Sequence, residues 1–151
     1  MLKVGDKAPD FTLLSDKGEP ISLSQFLGEK EVVLYFYPKD NTSGCTKEAC
    51  SFRDNLPQFQ ARDAVVLGVS PDSVSSHQKF IEKQNLNFTL LSDPDHRVAE
   101  AYGAWGEKVR YGRKYMGIYR TTFVIGKDGI IKKVFQDVKP ADHALEVLDA
   151  L

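Results

Sequence analysis

Cysteine is scarce in this chain: Cys45 and Cys50 are the only two among 151 residues. Their C-x4-C spacing has no second pair and no His-x3-His partner, which argues against a zinc site. The C-x-x-C spacing of a dithiol redox motif is also absent. No apolar run approaches the ~20 residues of a membrane-spanning helix. The opening Met1-Leu2-Lys3-Val4-Gly5-Asp6 lacks the apolar core of a signal peptide. Excess charge is missing too. The formal net charge is -1, so there is no electrostatic case for nucleic acid or an anionic membrane. Internal repeats and low-complexity segments are absent. These absences lead us to expect one domain over residues 1–151, large enough to bury a core without staples. They also suit a cytoplasmic location, where a disulfide is transient and catalytic.

Both cysteines fall in one stretch, Tyr35 to Cys50. The apolar run Val32-Val33-Leu34-Tyr35-Phe36 predicts a buried strand. The loop after it carries Pro38, Asp40, Asn41 and Gly44, all turn formers. From Cys45 onward the residues tolerate a helix, which places Cys45 at a helix N-terminus. Free N–H groups and the positive dipole end there favour thiolate over thiol, and the thiolate is the nucleophile. Thr42, three residues upstream, offers a hydroxyl to the sulfur or to a bound oxygen. On one helix, Cys45 and Cys50 are separated by roughly 7.5 Å of rise and about 140° of rotation. A disulfide needs Cα atoms within about 7 Å and converging Cβ vectors. The pair therefore cannot bridge until the helix unwinds. Two buried, inert thiols are the alternative.

The rest of the chain reads as an α/β pattern. Ala8–Leu13 alternates as a half-buried strand, Asp16-Lys17-Gly18 turns, and Ile21–Leu23 returns as a hairpin. Ser24–Gly28 predicts a single helical turn. Val32–Tyr37 is apolar on both faces, as in the middle of a covered sheet. The helix from Cys45 is expected to reach Gln60, with Pro57 ending or bending it. Ala64–Ser70 is a second central strand, parallel to the first through a right-handed crossover. Ser70-Pro71-Asp72-Ser73 signals a helix start, with Ser or Asp at the cap and Pro in the first turn. That helix carries His77 at a surface or half-buried position. Phe88–Asp93 reads as a strand and Asp95–Tyr102 as a short helix with His96 near its start. Trp105 and Tyr111–Ile118 read as a longer loop. Tyr119–Ile125 and Ile130–Phe135 form a hairpin about Gly126–Gly129. A last helix, Ala141–Leu151, buries Ala144, Leu145, Leu148 and Leu151; His143 receives no role. This order gives a mixed central sheet flanked by helices.

The stretch Pro38-x-x-x-Thr42-x-x-Cys45 resembles the active-site motif of peroxiredoxins, the thiol-dependent peroxidases. Gly44-Cys45-Thr46 with Glu48-Ala49-Cys50 is similar to the Q-type, or bacterioferritin comigratory protein, subgroup. Pro9-Asp10-Phe11 and Ser22–Phe26 also look like the N-terminal part of that family. Ser43 departs from the subgroup, which carries Pro there, but it removes no catalytic group. The resemblance spans nearly the whole chain. It implies a thioredoxin-like fold with an N-terminal β-hairpin extension. It further implies that Cys45 attacks hydrogen peroxide or organic hydroperoxides, becomes a sulfenic acid, and is resolved by Cys50 as an intramolecular disulfide. Thioredoxin is the implied reductant, and no flavin, haem or metal is implied. With both cysteines on one helix no second chain is needed, so a monomer is expected.

Splitting a peroxide also calls for a cation and oxyanion donors. Backbone N–H groups near Gly44 and Cys45 suit the second task. For the first, Lys39, Arg53, Arg113 and Arg120 compete by sequence alone. The resemblance selects Arg120, and it makes Glu48 the partner of that arginine; without it, Glu48 reads as a surface helix residue. Two other classes compete: a redox sensor using the same disulfide without fast turnover, and a non-catalytic domain with inert cysteines.

Overall fold

A computed structural model describes all of residues 1–151. Its elements in chain order are β1 (Thr12–Ser15), β2 (Pro20–Ser22), β3 (Glu31–Phe36), α1 (Ser43–Ala61), β4 (Ala64–Ser70), α2 (Val74–Gln84), β5 (Thr89–Ser92), α3 (Arg97–Tyr102), β6 (Trp105–Arg110), β7 (Arg113–Ile118), β8 (Thr121–Ile125), β9 (Ile131–Phe135) and α4 (His143–Asp149). A 3-10 turn, Leu23–Gln25, follows β2.

Seven strands form one mixed sheet in the order β2-β1-β5-β4-β3-β8-β9. The strands β3, β4 and β5 are parallel, whereas β1 and β8 join them antiparallel. The N-terminal hairpin is thus not an appendage; it extends the sheet beyond β5. Alternation along β3 explains why that strand is apolar throughout. Val32, Leu34 and Phe36 face a core shared with α3 and the N-terminal segment. Val33, Tyr35 and Tyr37 face a second core containing Cys45 and Phe52 of α1, Phe80 of α2 and Ala144 of α4. Both cores are buried by helices, as central parallel strands require. No helix is long and apolar enough to cross a membrane.

The helix α1 runs through Pro57 to Ala61 rather than ending or breaking there. Proline has no N–H to donate to the carbonyl four residues earlier. Here that carbonyl belongs to Arg53, and the Asn87 side-chain amide donates to it at 3.2 Å. A tertiary contact therefore replaces the missing helical bond. In α2 the cap is Ser73, whose Oγ accepts from the Ser76 N–H at 3.1 Å, and Pro71 lies outside the helix. The helix α4 buries His143, Ala144, Val147 and Leu148. Leu145, expected inside, is 50% exposed.

The segment expected as a loop after Trp105 is a hairpin, β6 paired antiparallel with β7. Tyr111 and Gly112 both have positive φ, 51° and 74°, which is the turn a two-residue hairpin favours. Most of the ribbon is exposed on both faces, so its strands carry no alternation of apolar and polar residues. Only its base is anchored, where Ile118 and Trp105 join the core.

Candidate active site

The site lies where β3 ends and α1 begins. Tyr37 is the last residue held by a sheet-like bond, donating its N–H to the Val69 carbonyl. Pro38 then turns the chain away from the sheet, and Asn41 takes a left-handed φ of 63° before Thr42. Thr42 is the N-cap of α1. The first helical bond runs from the Thr46 N–H to the Thr42 carbonyl. The N–H groups of Ser43, Gly44 and Cys45 precede it and belong to the unpaired first turn of a helix. Cys45 is the third helical residue, with its thiol in the core at 1% exposure. Ser43, where the subgroup carries Pro, occupies the first helical position, which proline also favours.

Arg120 reaches this place through strand pairing. Because β8 runs antiparallel to β3, Thr121 pairs with Phe36. The residue before β8 therefore lies beside the loop that follows β3. One guanidinium nitrogen of Arg120, Nη2, donates to Cys45 Sγ at 3.1 Å. The other, Nη1, donates to Glu48 Oε1 at 2.6 Å. Its planar fork suits a bridge between two acceptors, a sulfur and a carboxyl oxygen, better than a lysine ammonium does. Gly44 leaves room for it, since a Cβ there would lie 3.3 Å from Nη2 and 3.4 Å from Pro140 Cγ. Of the other cations weighed, Lys39 and Arg113 are exposed, and Arg53 faces the carbonyl of Gln84.

Glu48 is fully buried rather than on the surface. Burial pushes its carboxyl up to about 7, against the charge and hydrogen bond of Arg120, which pull it down. Its second oxygen, Oε2, has no hydrogen-bond partner. Burial opposes the charge on Arg120, but Glu48 and Cys45 outweigh it and hold the guanidinium pKa above its ordinary value. The three groups thus form one electrostatic unit around the sulfur.

The Thr42 hydroxyl donates to the Lys39 carbonyl at 2.9 Å, not to the sulfur. That bond uses its only hydrogen and leaves the oxygen lone pairs as acceptors. Cys50, half-buried, faces another direction: its thiol contacts Gln84 Oε1 of α2 at 3.8 Å. Both cysteines are free thiols. They sit on different sides of an intact helix, in keeping with their spacing.

Sequence reasoning missed two buried groups beside the site. His77, expected at a surface or half-buried position, is fully buried, and Asp40, read only as a turn former, is buried as well. His77 Nδ1 lies 2.7 Å from Asp40 Oδ2. The pair is 37 residues apart in sequence, and no local pattern joins them. His143, given no role, is buried against the Thr122 hydroxyl at 2.7 Å. Burial lowers its pKa, with Glu146 acting the other way and Arg120 adding to the fall.

A thiol at a helix N-terminus, held by an arginine on a mixed sheet flanked by helices, defines a thioredoxin-like thiol peroxidase. The AhpC/TSA family matches residues 4–134 of the chain. The chain is 51% identical to peroxiredoxin Bcp of Bacillus subtilis over 150 residues, covering 99% of this chain and 95% of that protein. It is 47% identical to peroxiredoxin Bcp of Escherichia coli, covering 99% and 96%. Among solved structures, a PrxQ mutant from Xylella fastidiosa superposes with a TM-score of 0.93 at 39% identity, covering 99% of this chain and 94% of that one. The bacterioferritin comigratory protein of Xanthomonas campestris, described for its alkyl peroxide reduction, superposes with a TM-score of 0.88 at 39% identity, covering 93% and 88%. The chain belongs to the AhpC/TSA family and is a peroxiredoxin of the Q-type, Bcp-like group.

Proposed function

We propose that this peroxiredoxin reduces hydrogen peroxide and organic hydroperoxides by a two-cysteine cycle within one chain. The carrying observation is the Arg120 guanidinium, which spans Cys45 Sγ and Glu48. A donor aimed at sulfur favours the thiolate. The Cys45 thiolate attacks one peroxide oxygen. An S–O bond forms, the O–O bond breaks, and the departing hydroxide or alkoxide takes a proton to leave as water or alcohol. Cys45 is left as a sulfenic acid. Thr42 accepts a hydrogen bond from the peroxide O–H, because its own hydrogen is committed to Lys39. Arg120 and the N–H groups of Gly44 and Cys45 stabilise the charge that develops on the oxygens. Pro38 turns the chain so that these groups converge, and Glu48 orients Arg120.

In the second half-reaction the first turns of α1 unwind. The Cys50 thiolate attacks the Cys45 sulfenic sulfur, forming S–S and releasing the hydroxyl, which leaves as water. An external dithiol then reduces the disulfide by exchange. Thioredoxin is the reductant we assign, in a cytoplasmic setting. Resolution within one helix is compatible with a monomeric, single-domain enzyme. The alkyl peroxide reduction of the Xanthomonas campestris relative supports organic hydroperoxides as substrates.

The test is peroxide-dependent NADPH oxidation with thioredoxin and its reductase. Wild type is expected to turn over. Cys45→Ser is expected to be inactive, and Cys50→Ser to oxidise once and recycle poorly. Rapid disulfide formation with negligible steady-state turnover would favour a peroxide sensor. No reaction of Cys45 with peroxide would defeat the proposal.

A further inference from the structure

The loop that carries the site is pinned to α2 by a buried polar cluster. Asp40 sits between Lys39 and Asn41, with its side chain 1% exposed. Its Oδ1 accepts from the Tyr37 hydroxyl at 2.5 Å, and its Oδ2 accepts from the Ser76 hydroxyl at 2.8 Å. Its backbone N–H donates to Asp72 Oδ2 at 2.7 Å. His77 Nδ1 stands 2.7 Å from Asp40 Oδ2, with the ring fully buried.

The other face of His77 decides where the protons are. Nε2 lies 2.9 Å from the Leu91 carbonyl, which can only accept. Nε2 therefore carries a hydrogen. In a neutral ring, Nδ1 would then present a bare lone pair to a carboxylate oxygen, which repels. The neighbouring hydroxyls cannot fill that gap. The Tyr37 hydroxyl also lies 3.4 Å from Nδ1, but its single hydrogen goes to the much nearer Asp40 Oδ1 at 2.5 Å, and that of Ser76 goes to Oδ2. Burial, then Tyr35, then Asp40 raise the Tyr37 pKa and keep that phenol protonated. One proton must therefore lie on the Nδ1–Oδ2 axis, shared between imidazole and carboxyl.

We propose that Asp40 and His77 form a proton-sharing pair that positions Thr42 for peroxide. Asp40 is bonded to Lys39, whose carbonyl fixes the Thr42 hydroxyl. Holding Asp40 against α2 and β5 sets the direction of that carbonyl, and hence the lone pairs Thr42 offers to the substrate. Neither residue touches the sulfur or the peroxide; both act through Thr42. This rests on the role given to Thr42 in the proposed peroxidase cycle.

The test is a double-mutant cycle on the rate of Cys45 oxidation by peroxide, with a spectroscopic check on the pair. Asp40→Ala is expected to slow oxidation by about tenfold or more, the scale of a misplaced catalytic group. Asp40→Asn, whose amide can donate to Nδ1 while its oxygen accepts from Tyr37, is expected to recover most of the loss. In a Thr42→Val background, Asp40→Ala is expected to add little, because both changes remove the same contribution. In wild-type protein, magnetic resonance is expected to show a proton on Nε2 and a downfield proton shared between Nδ1 and Asp40. Equal slowing by Asp40→Ala with and without Thr42, or wild-type oxidation in Asp40→Ala, overturns the proposal. So does a wild-type His77 whose Nε2 carries no proton, a result that needs no variant to fold. Wild-type protein whose Cys45 ignores peroxide defeats the peroxidase cycle itself and is seen before any variant is compared.

Discussion

Gly44 leaves the space that Arg120 fills. A Cβ at position 44 would lie 3.3 Å from Arg120 Nη2, the nitrogen that donates to Cys45. A side chain there therefore presses on the nitrogen that contacts the sulfur. In a helix, alanine is favoured over glycine by about 1 kcal/mol. Gly44→Ala is therefore expected to keep or raise the melting temperature while slowing Cys45 oxidation by about tenfold. Stopped-flow oxidation and thermal melts read the two effects separately.

Arg120 neutralises a carboxylate that is otherwise sealed in the core. Arg120→Met removes the donor to sulfur and leaves Glu48 without its partner. Breaking a buried pair from one side costs about 3–5 kcal/mol when the remaining group stays charged. Glu48 escapes part of that cost by taking up a proton. The variant is expected to lose about a hundredfold in Cys45 oxidation, as removal of an oxyanion donor does. Arg120→Met/Glu48→Gln is expected to regain stability without regaining rate. Denaturant melts beside peroxide kinetics check both halves.

The Glu48 carboxyl also makes stability depend on pH. Its pKa rises from 4.5 to about 7 on folding. Between those values the folded state binds more protons than the unfolded state, so stability falls as pH rises through that window. The contribution is on the order of 3 kcal/mol across it. Denaturant melts of wild type and Glu48→Gln from about pH 5 to about pH 8 isolate it, because groups that do not interact with Glu48 cancel in the difference. Wild type is expected to lose stability relative to the variant as pH rises. A flat difference would mean that Glu48 is ionised throughout.

Unwinding of α1 has a boundary. Beyond Cys50 the helix is tied down: the Ala144 N–H donates to Ser51 Oγ at 3.1 Å, Arg53 Nη1 to the Gln84 carbonyl at 2.6 Å, and Asn87 to the Arg53 carbonyl. Before it, the Arg120 bonds to Cys45 and Glu48 are the side-chain ties. In the proposed cycle, oxidation changes the sulfur that Arg120 Nη2 contacts. Hydrogen exchange on the disulfide form is therefore expected to show lost protection at the amides of residues 46–54, which bond to carbonyls of the unwound turns, and kept protection over 55–61. Loss across all of α1 would contradict this boundary.

Much of this was legible in the chain itself. The apolar runs of β3 and β4 and the turn-rich segment before Cys45 predict strand, loop and helix close to their observed bounds. The cysteine spacing anticipates two sulfurs facing apart. Elsewhere, information held in distant contacts was invisible. Pro57 reads as a breaker because its remedy, Asn87, lies in the distant loop between α2 and β5. The ribbon β6–β7 reads as a loop because neither face is buried enough to leave a pattern. Asp40 and His77 each look ordinary alone; only folding makes them a pair. Arg120 is one cation among four until β8 pairs with β3 and brings it to the thiol.

The central claim is that Cys45 takes the peroxide oxygen and Cys50 removes it within the same chain. It is tested most directly by intact-mass analysis after one equivalent of hydrogen peroxide. The account predicts that wild type loses only the two thiol hydrogens and yields a Cys45–Cys50 linked peptide in monomeric protein. Cys50→Ser should gain one oxygen, and Cys45→Ser should stay unchanged. Oxygen added at Cys50 in the Cys45→Ser variant, or a disulfide joining two chains in wild type, would contradict it.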